Sequence, residues 1–219
     1  MNCNAVVVEP FKVRNRLAEL GLEEADLLEA VRRGISAGFE CTENHPPQSA
    51  GYNRWSETVA ALRERMLPKD WTRLNDNNLP LTIDPTGTVA IAVTTGDAGT
   101  GDPNINPCTR SPKGPRTTEK VRDNRQMCFV WDNIPLRPEH LAPDHERMLW
   151  LLLIYQDIER REFRSELSRP TDWNDEDRVD EWAERIILSS IPFDGDVLNI
   201  PVDNAPQTPE LDVEIRRRG

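Results

Sequence analysis

Met148 to Tyr155 is the longest apolar run in the chain, eight residues without a charge. It is far short of the ~20 residues that a membrane-crossing helix needs, so it has to be buried inside the protein. A segment that is apolar all round must be covered on several sides. Pro143 suits the first position of a helix, and Asp144 and Glu146 suit its first turn. Read at helical spacing, the run predicts a helix from Pro143 to Ser168, with Glu159, Glu162 and Glu166 along a solvent-facing rod. Val179, Trp182, Ala183, Ile186 and Ile187 fall at i, i+3, i+4, i+7 and i+8, which predicts a second helix from about Asn174. The connection is short, so the two helices are expected to pack as an antiparallel hairpin.

The N-terminal part also reads as helical. A short helix is expected to end at Gly21. Leu27, Leu28, Val31, Ile35 and Phe39 then mark one helix face, with Glu23, Glu24 and Asp26 in the first turn. Glu43 to Asn53 holds Pro46, Pro47 and Gly51 and reads as a loop. Asn53 is a candidate cap for a helix carrying Trp55, Val59, Leu62 and Met66, and Pro68 ends it.

The pattern changes in the middle of the chain. Leu79–Ile83 and Thr88–Thr94 flank Asp84-Pro85-Thr86-Gly87, which has the residues of a hairpin turn. Gln126 to Trp131 is expected to add a third strand. The fold class expected is therefore α+β: N-terminal helices, a small, mostly antiparallel central sheet, and a C-terminal helical hairpin. One compact domain is expected over residues 1–191, with a long Gly/Pro loop at 95–116. Prolines at 192, 201, 206 and 209 mark residues 192–219 as an extended arm.

Charge and cysteine usage narrow the function classes. A net charge of -11 over 219 residues argues against broad duplex binding, which needs a basic footprint. Nucleic acid is left only the local basic segment. No signal peptide or membrane span is expected, and four scattered cysteines without CxxC spacing suit reduced thiols in the cytoplasm.

Three segments carry candidate chemistry. Thr94 to Asp102 follows the central strand, and Gly96, Gly99 and Gly101 could offer backbone N–H groups to a ligand. Asp97 or Asp102 could hold a divalent cation there, although the lysine and helix of a nucleotide-binding P-loop do not follow. Thr109 to Arg125 carries six basic and two acidic residues, with Arg110, Lys113 and Arg116 foremost, enough to grip a phosphate or an acidic peptide. Asp157 to Glu184 carries eleven acids and five arginines, an acidic helical face able to meet a basic partner.

No catalytic motif is present, and His140 with His145, or Cys41 with His45, lacks the spacing of a metal site. No cofactor, metal or catalytic residue is assigned. The leading expectation is a non-enzymatic cytoplasmic adaptor or complex subunit. It would bind a protein partner through the basic loop, the acidic helical pair and the arm residues Leu211, Val213 and Ile215. One alternative is an enzyme or ligand-dependent regulator that takes a phosphate-containing ligand at the loop after the central strand. The other is an acidic inhibitor or immunity-type protein using Glu162, Asp177 and Glu181.

Overall fold

A computed structural model describes residues 5–76, 78–127 and 147–193, without the side chains of 115, 116 and 125–127. The chain starts with strand β1 (Ala5–Val7) and helices α1 (Pro10–Glu19), α2 (Glu24–Phe39) and α3 (Ser49–Met66). A 3-10 turn follows at Leu67–Lys69, and then β2 (Thr72–Asp76), β3 (Leu79–Ile83) and β4 (Val89–Thr95). Helix α4 (Pro115–Met127), β5 (Met148–Asp157), β6 (Glu162–Trp173), β7 (Val179–Ile187) and β8 (Ile191–Pro192) complete the described elements.

The strands form one mixed sheet in the order β1-β7-β6-β5-β4-β3-β2, with β8 beside the start of β6. The pairs β1–β7 and β4–β5 are parallel and the others antiparallel. This overturns the expected α+β arrangement, because there is no C-terminal helical hairpin in the described residues. The stretches read as its two helices are β5, β6 and β7, at the centre of an eight-stranded sheet. Residues 143–146, the expected start of the first helix, lie outside the described residues.

Burial on both faces explains the misreading. Trp150, Leu152 and Ile154 pack with α1–α3, while Leu149, Leu151 and Leu153 pack with Val121 of α4 on the opposite face. A central strand covered twice loses the alternation that marks a strand and becomes a continuous apolar run. In β7 the register with β6 shifts three times between Arg169 and Trp173, leaving Asp180 and Ala183 without partners. Those bulges insert extra residues, so the buried positions fall at helical spacing. Pro170 cannot donate to the ladder and sits in this bulged stretch. Its carbonyl accepts from Asn124 Nδ2 at 2.9 Å, and Asn124 also exchanges hydrogen bonds with Leu149 N and O, docking α4 on β5.

Elsewhere the local signals correspond to the elements. The Asp84–Gly87 turn joins β3 and β4, with Asp84 Oδ1 accepting from Val89 N at 2.7 Å and Gly87 at φ 76°. Asn53 does not cap α3, which begins earlier at Ser49; its amide donates to Cys41 Sγ instead. Gln126 and Met127 belong to α4, not to a third strand, and 128–131 lie outside the described residues. Gly34 lets α2 press against α3, because a Cβ there would overlap Thr58 Oγ1 and lie 2.5 Å from the Arg54 carbonyl. That close contact sets the position of Arg54 and Trp55 over the end of β4.

Phe193 closes the described chain within the core, in edge-on contact with Phe39 and Phe163. Pro192 and Phe193, assigned to the arm in the sequence reading, thus belong to the sheet and its packing. Residues 194–219, with Leu211, Val213 and Ile215, lie outside the described residues. Among the described residues no helix is long and apolar enough to cross a membrane.

Candidate functional site

The parallel strands β4 and β5 run side by side, with Thr94 opposite Leu153 and Thr95 opposite Ile154. Their carboxyl ends open at one rim of the sheet, where ligands collect in open α/β folds. The loop 96–114 leaves this rim, makes an excursion over β6 and β7, and returns. Gly96 pairs with Thr109, Arg110 N donates to Thr95 O at 2.9 Å, and Asp97 N donates to Cys108 O at 3.0 Å. The return brings Arg110 and Lys113 back to the strand end from which the loop departed.

Buried charge holds the excursion down. Glu166 of β6 is 0% exposed and Arg185 of β7 is 4% exposed. Arg185 grips Glu166 with two hydrogen bonds, of 3.0 and 2.7 Å. Glu166 also accepts from Gly101 N and from Ser168 Oγ, each at 2.7 Å. The Arg185 guanidinium goes on to the carbonyls of Asp102, at 3.0 Å, and Ile105, at 2.9 Å. Gly101 has φ 72°, and a Cβ on it would stand 2.8 Å from that of Arg164, so this contact requires glycine. Trp182 Nε1 adds a hydrogen bond of 2.9 Å to Pro107 O. The expectation of Glu166 on a solvent-facing rod is therefore corrected: it is the most deeply buried acid of that group, in a strand.

Between α3 and this loop lies an open cleft with two lobes, of about 330 and 430 Å³. Trp55 and Val93–Thr95 line both lobes. The first continues past Arg54, Arg110, Tyr155 and Gln156, and the second past Ser111, Lys113 and Thr117 at the start of α4. Each is close to or within the roughly 300–1,000 Å³ usual for small-molecule sites. Three cations (Arg54, Arg110 and Lys113) and one acid (Asp97) line the cleft of a protein with net charge -11. Lys113 Nζ donates to Thr94 Oγ1 at 2.7 Å, and its backbone N–H is anchored to Asp177 O at 2.7 Å. Arg54 NH2 donates to Gln156 Oε1 at 3.1 Å while its guanidinium lies 5.2 Å from the centre of the Phe163 ring.

No family model matches this chain, and no curated protein and no solved structure matches it either. The functional reading therefore rests on the cleft.

The candidate residues from the sequence are only partly brought together. Gly96, Asp97, Arg110 and Lys113 line the cleft. Gly99, Gly101 and Asp102 do not, because they belong to the excursion over β6 and β7. The glycine amides are also engaged inside the fold: Gly96 N with Ile154 O, Gly99 N with Asp97 Oδ1 and Gly101 N with Glu166 Oε2. Side chains, rather than a nest of backbone donors, therefore face the cleft.

Arg116 lies in the first turn of α4, and its side chain is not described. The basic stretch is not one loop. From Pro115 onward it is helical, with Lys120 buried against Asp76 and Arg122 over the Trp173 ring. Glu162 and Glu181 lie in strands and Asp177 in a turn, so the expected acidic helical face does not exist.

Among the described residues no group of three or more His, Cys, Asp or Glu could hold a metal ion. Asp97 stands in the cleft as a single carboxylate, and Asp102, the alternative cation holder, accepts from Asn104 N within its own turn. Burial pushes the Cys108 thiol up, with Asp97 and Asp180 adding to the effect, so it stays protonated and is a poor nucleophile. His45 accepts the Thr42 N–H at the end of α2, and His140 and His145 lie outside the described residues.

Sequence reasoning missed Arg54, Trp55, Tyr155 and Gln156, and included Thr94 only as the start of the glycine-rich segment. Trp55 lies on an apolar stripe and reads as core, yet it is half-buried, with Nε1 donating to Val93 O at 3.1 Å. Recognising β4 and β5 as parallel neighbours would have exposed Thr94, Thr95 and Gln156 as strand-end residues.

Proposed function

We propose that this protein is a ligand-dependent regulator that binds a small phosphate-bearing molecule in the cleft at the carboxyl ends of β4 and β5. The observation that carries the reading is the return of the 96–114 loop. It sets Arg110 in the wall of one lobe and Lys113 in the wall of the other, both at the end of β4, with Lys113 Nζ 2.7 Å from Thr94 Oγ1. An ammonium and a guanidinium beside hydroxyls recognise phosphate through charge-assisted hydrogen bonds. The first turn of α4 adds favourable N-terminal polarity beside Thr117. A cytoplasmic setting fits the half-buried, unpaired thiols of Cys41 and Cys108.

The adaptor reading loses its acidic helical pair, and its arm residues lie outside the described part of the chain. Its basic residues Arg110 and Lys113 lie in a concave site, which suits a small ligand better than a flat partner surface.

Isothermal titration with ribose 5-phosphate and with nucleoside 5′-monophosphates at low salt tests the proposal. Binding is expected to weaken with added salt. Lys113→Ala combined with Arg110→Ala should reduce affinity about ten-fold or more, since each hydrogen bond to a charged group contributes roughly 1.5–3 kcal/mol. Unchanged affinity in a folded double variant would refute it.

A further inference from the structure

We propose that the ligand is a free nucleotide, whose base enters the lobe bounded by Trp55 and Tyr155 while its phosphate reaches Lys113. This rests on the phosphate-binding reading above and adds the chemistry of the other lobe.

Trp55 lines both lobes, so a ligand that extends from one to the other must pass its ring. The indole is held in place by its hydrogen bond to Val93 O and by Tyr52, whose ring centre lies 5.7 Å away. Tyr155 comes from the end of β5. Its ring is backed by the Arg164 guanidinium at 5.1 Å, and that group is in turn fastened to Asp157 at 3.1 Å and to Ala98 O at 2.9 Å. Both aromatic walls are thus braced by contacts within the protein, and such preorganisation lowers the ordering cost of binding.

Ile154 and Ile158 add apolar surface to this lobe, and Asp97 and Gln156 put polar groups at it. Gln156 Nε2 is buried without a hydrogen-bond partner among the described residues, a donor that a base carbonyl would satisfy after a small movement. A flat ring with polar edges suits such walls: the faces stack on aromatic side chains and the edges meet the amide and the carboxylate. Sugar and phosphate would then extend past Thr94 into the second lobe. A net charge of -11 disfavours a long polyanion, so the occupant is a single nucleotide rather than a strand.

The test is titration of the full chain with the four common nucleoside 5′-monophosphates, ribose 5-phosphate and adenosine. At least one monophosphate should bind about ten-fold or more tightly than ribose 5-phosphate, in keeping with the usual worth of base–aromatic stacking. Trp55→Leu should erase that advantage, weakening nucleotide binding far more than ribose 5-phosphate binding, since Trp55 also borders the phosphate lobe. Trp55→Phe should restore part of it. If Trp55→Leu does not fold, Tyr155→Leu on the other wall serves in its place.

Equal binding of ribose 5-phosphate and all four nucleotides would overturn the nucleotide inference and leave the phosphate reading intact. A preference that survives both wall variants would overturn it as well. Binding of none of the phosphate compounds would overturn both.

Discussion

Helices α1–α3 cover one face of the sheet, and α4 with the 96–114 loop covers the other. On the helical face, Leu17, Leu27, Leu62 and Met66 are fully buried against Trp150, Leu152 and Ile186, and removal of apolar surface from water supplies the cohesion. The loop has little to contribute in that way: Ile105, its one large aliphatic residue, is 51% exposed. Its grip comes from peptide groups hydrogen-bonded to Arg185 and Glu166. The comparison teaches that a Gly-, Asp- and Pro-rich segment with little apolar surface can be docked by a buried ion pair that satisfies its backbone. It also fits the cleft at the rim between α3 and the loop, since a loop with few large side chains leaves space at the strand ends.

The strongest way to break the contrast is Glu166→Ala. It leaves Arg185 buried and uncompensated, and a loss of about 3–5 kcal/mol is expected in chemical denaturation. Hydrogen exchange should accelerate at Gly101 and Ile105 well before the amides of α2 and α3. Uniform acceleration over both faces would contradict separate cohesion. Replacing Glu166 and Arg185 together by Leu and Met should recover only part of the stability, because the orphaned charge is removed while Gly101 N and the Asp102 and Ile105 carbonyls still lose their partners.

Leu62→Ala probes the helical face. The side chain is fully buried, so about 2–5 kcal/mol should be lost through transfer and cavity terms, with exchange rising first in α2 and α3. The loop amides should follow only at global unfolding.

The smallest effect is expected at an ionic device of the helical face. Asp26 accepts from Lys69 at 2.7 Å and from Arg65 at 2.8 Å. Burial acts to raise its pKa, but these hydrogen bonds outweigh it and hold the carboxyl below the ordinary aspartate value. A lowered folded pKa means that the stabilisation is complete above the unfolded value, about 3.9, and is lost as pH falls through the folded one. Asp26→Asn should therefore cost about 1 kcal/mol at neutral pH, since both partners are partly exposed. The difference from the parent should shrink below about pH 4. A difference that is constant down to pH 2 would show that the pair contributes through shape alone.

Legibility followed the range of the interactions. The Asp84–Gly87 turn, the apolar face of α2 and the stop at Pro68 depend on neighbours within a few residues, and each can be read directly. The glycine-rich stretch after β4 also stood out locally, because so many glycines and acids directly after a strand are unusual. Its partner was not: Gly101 meets Glu166 across 65 positions, and Arg185 meets Ile105 across 80. In the cleft, Arg110 and Lys113 stood out by charge, whereas Trp55, Tyr155 and Gln156 needed the strand order.

The sequence by itself determined the burial of the middle of the apolar run, Leu149–Ile154, the hairpin between β3 and β4, the N-terminal helices and the position of a basic segment after a central strand. Whether the apolar run became a helix or a strand was decided by tertiary structure. An all-apolar stretch satisfies either form, and only layers packed on both of its faces, with bulges shifting the alternation in β7, favour the sheet. The cleft arose in the same way: its residues are scattered from Arg54 to Gln156, and only the parallel pairing of β4 with β5 and the pinned return of the loop bring them to one rim.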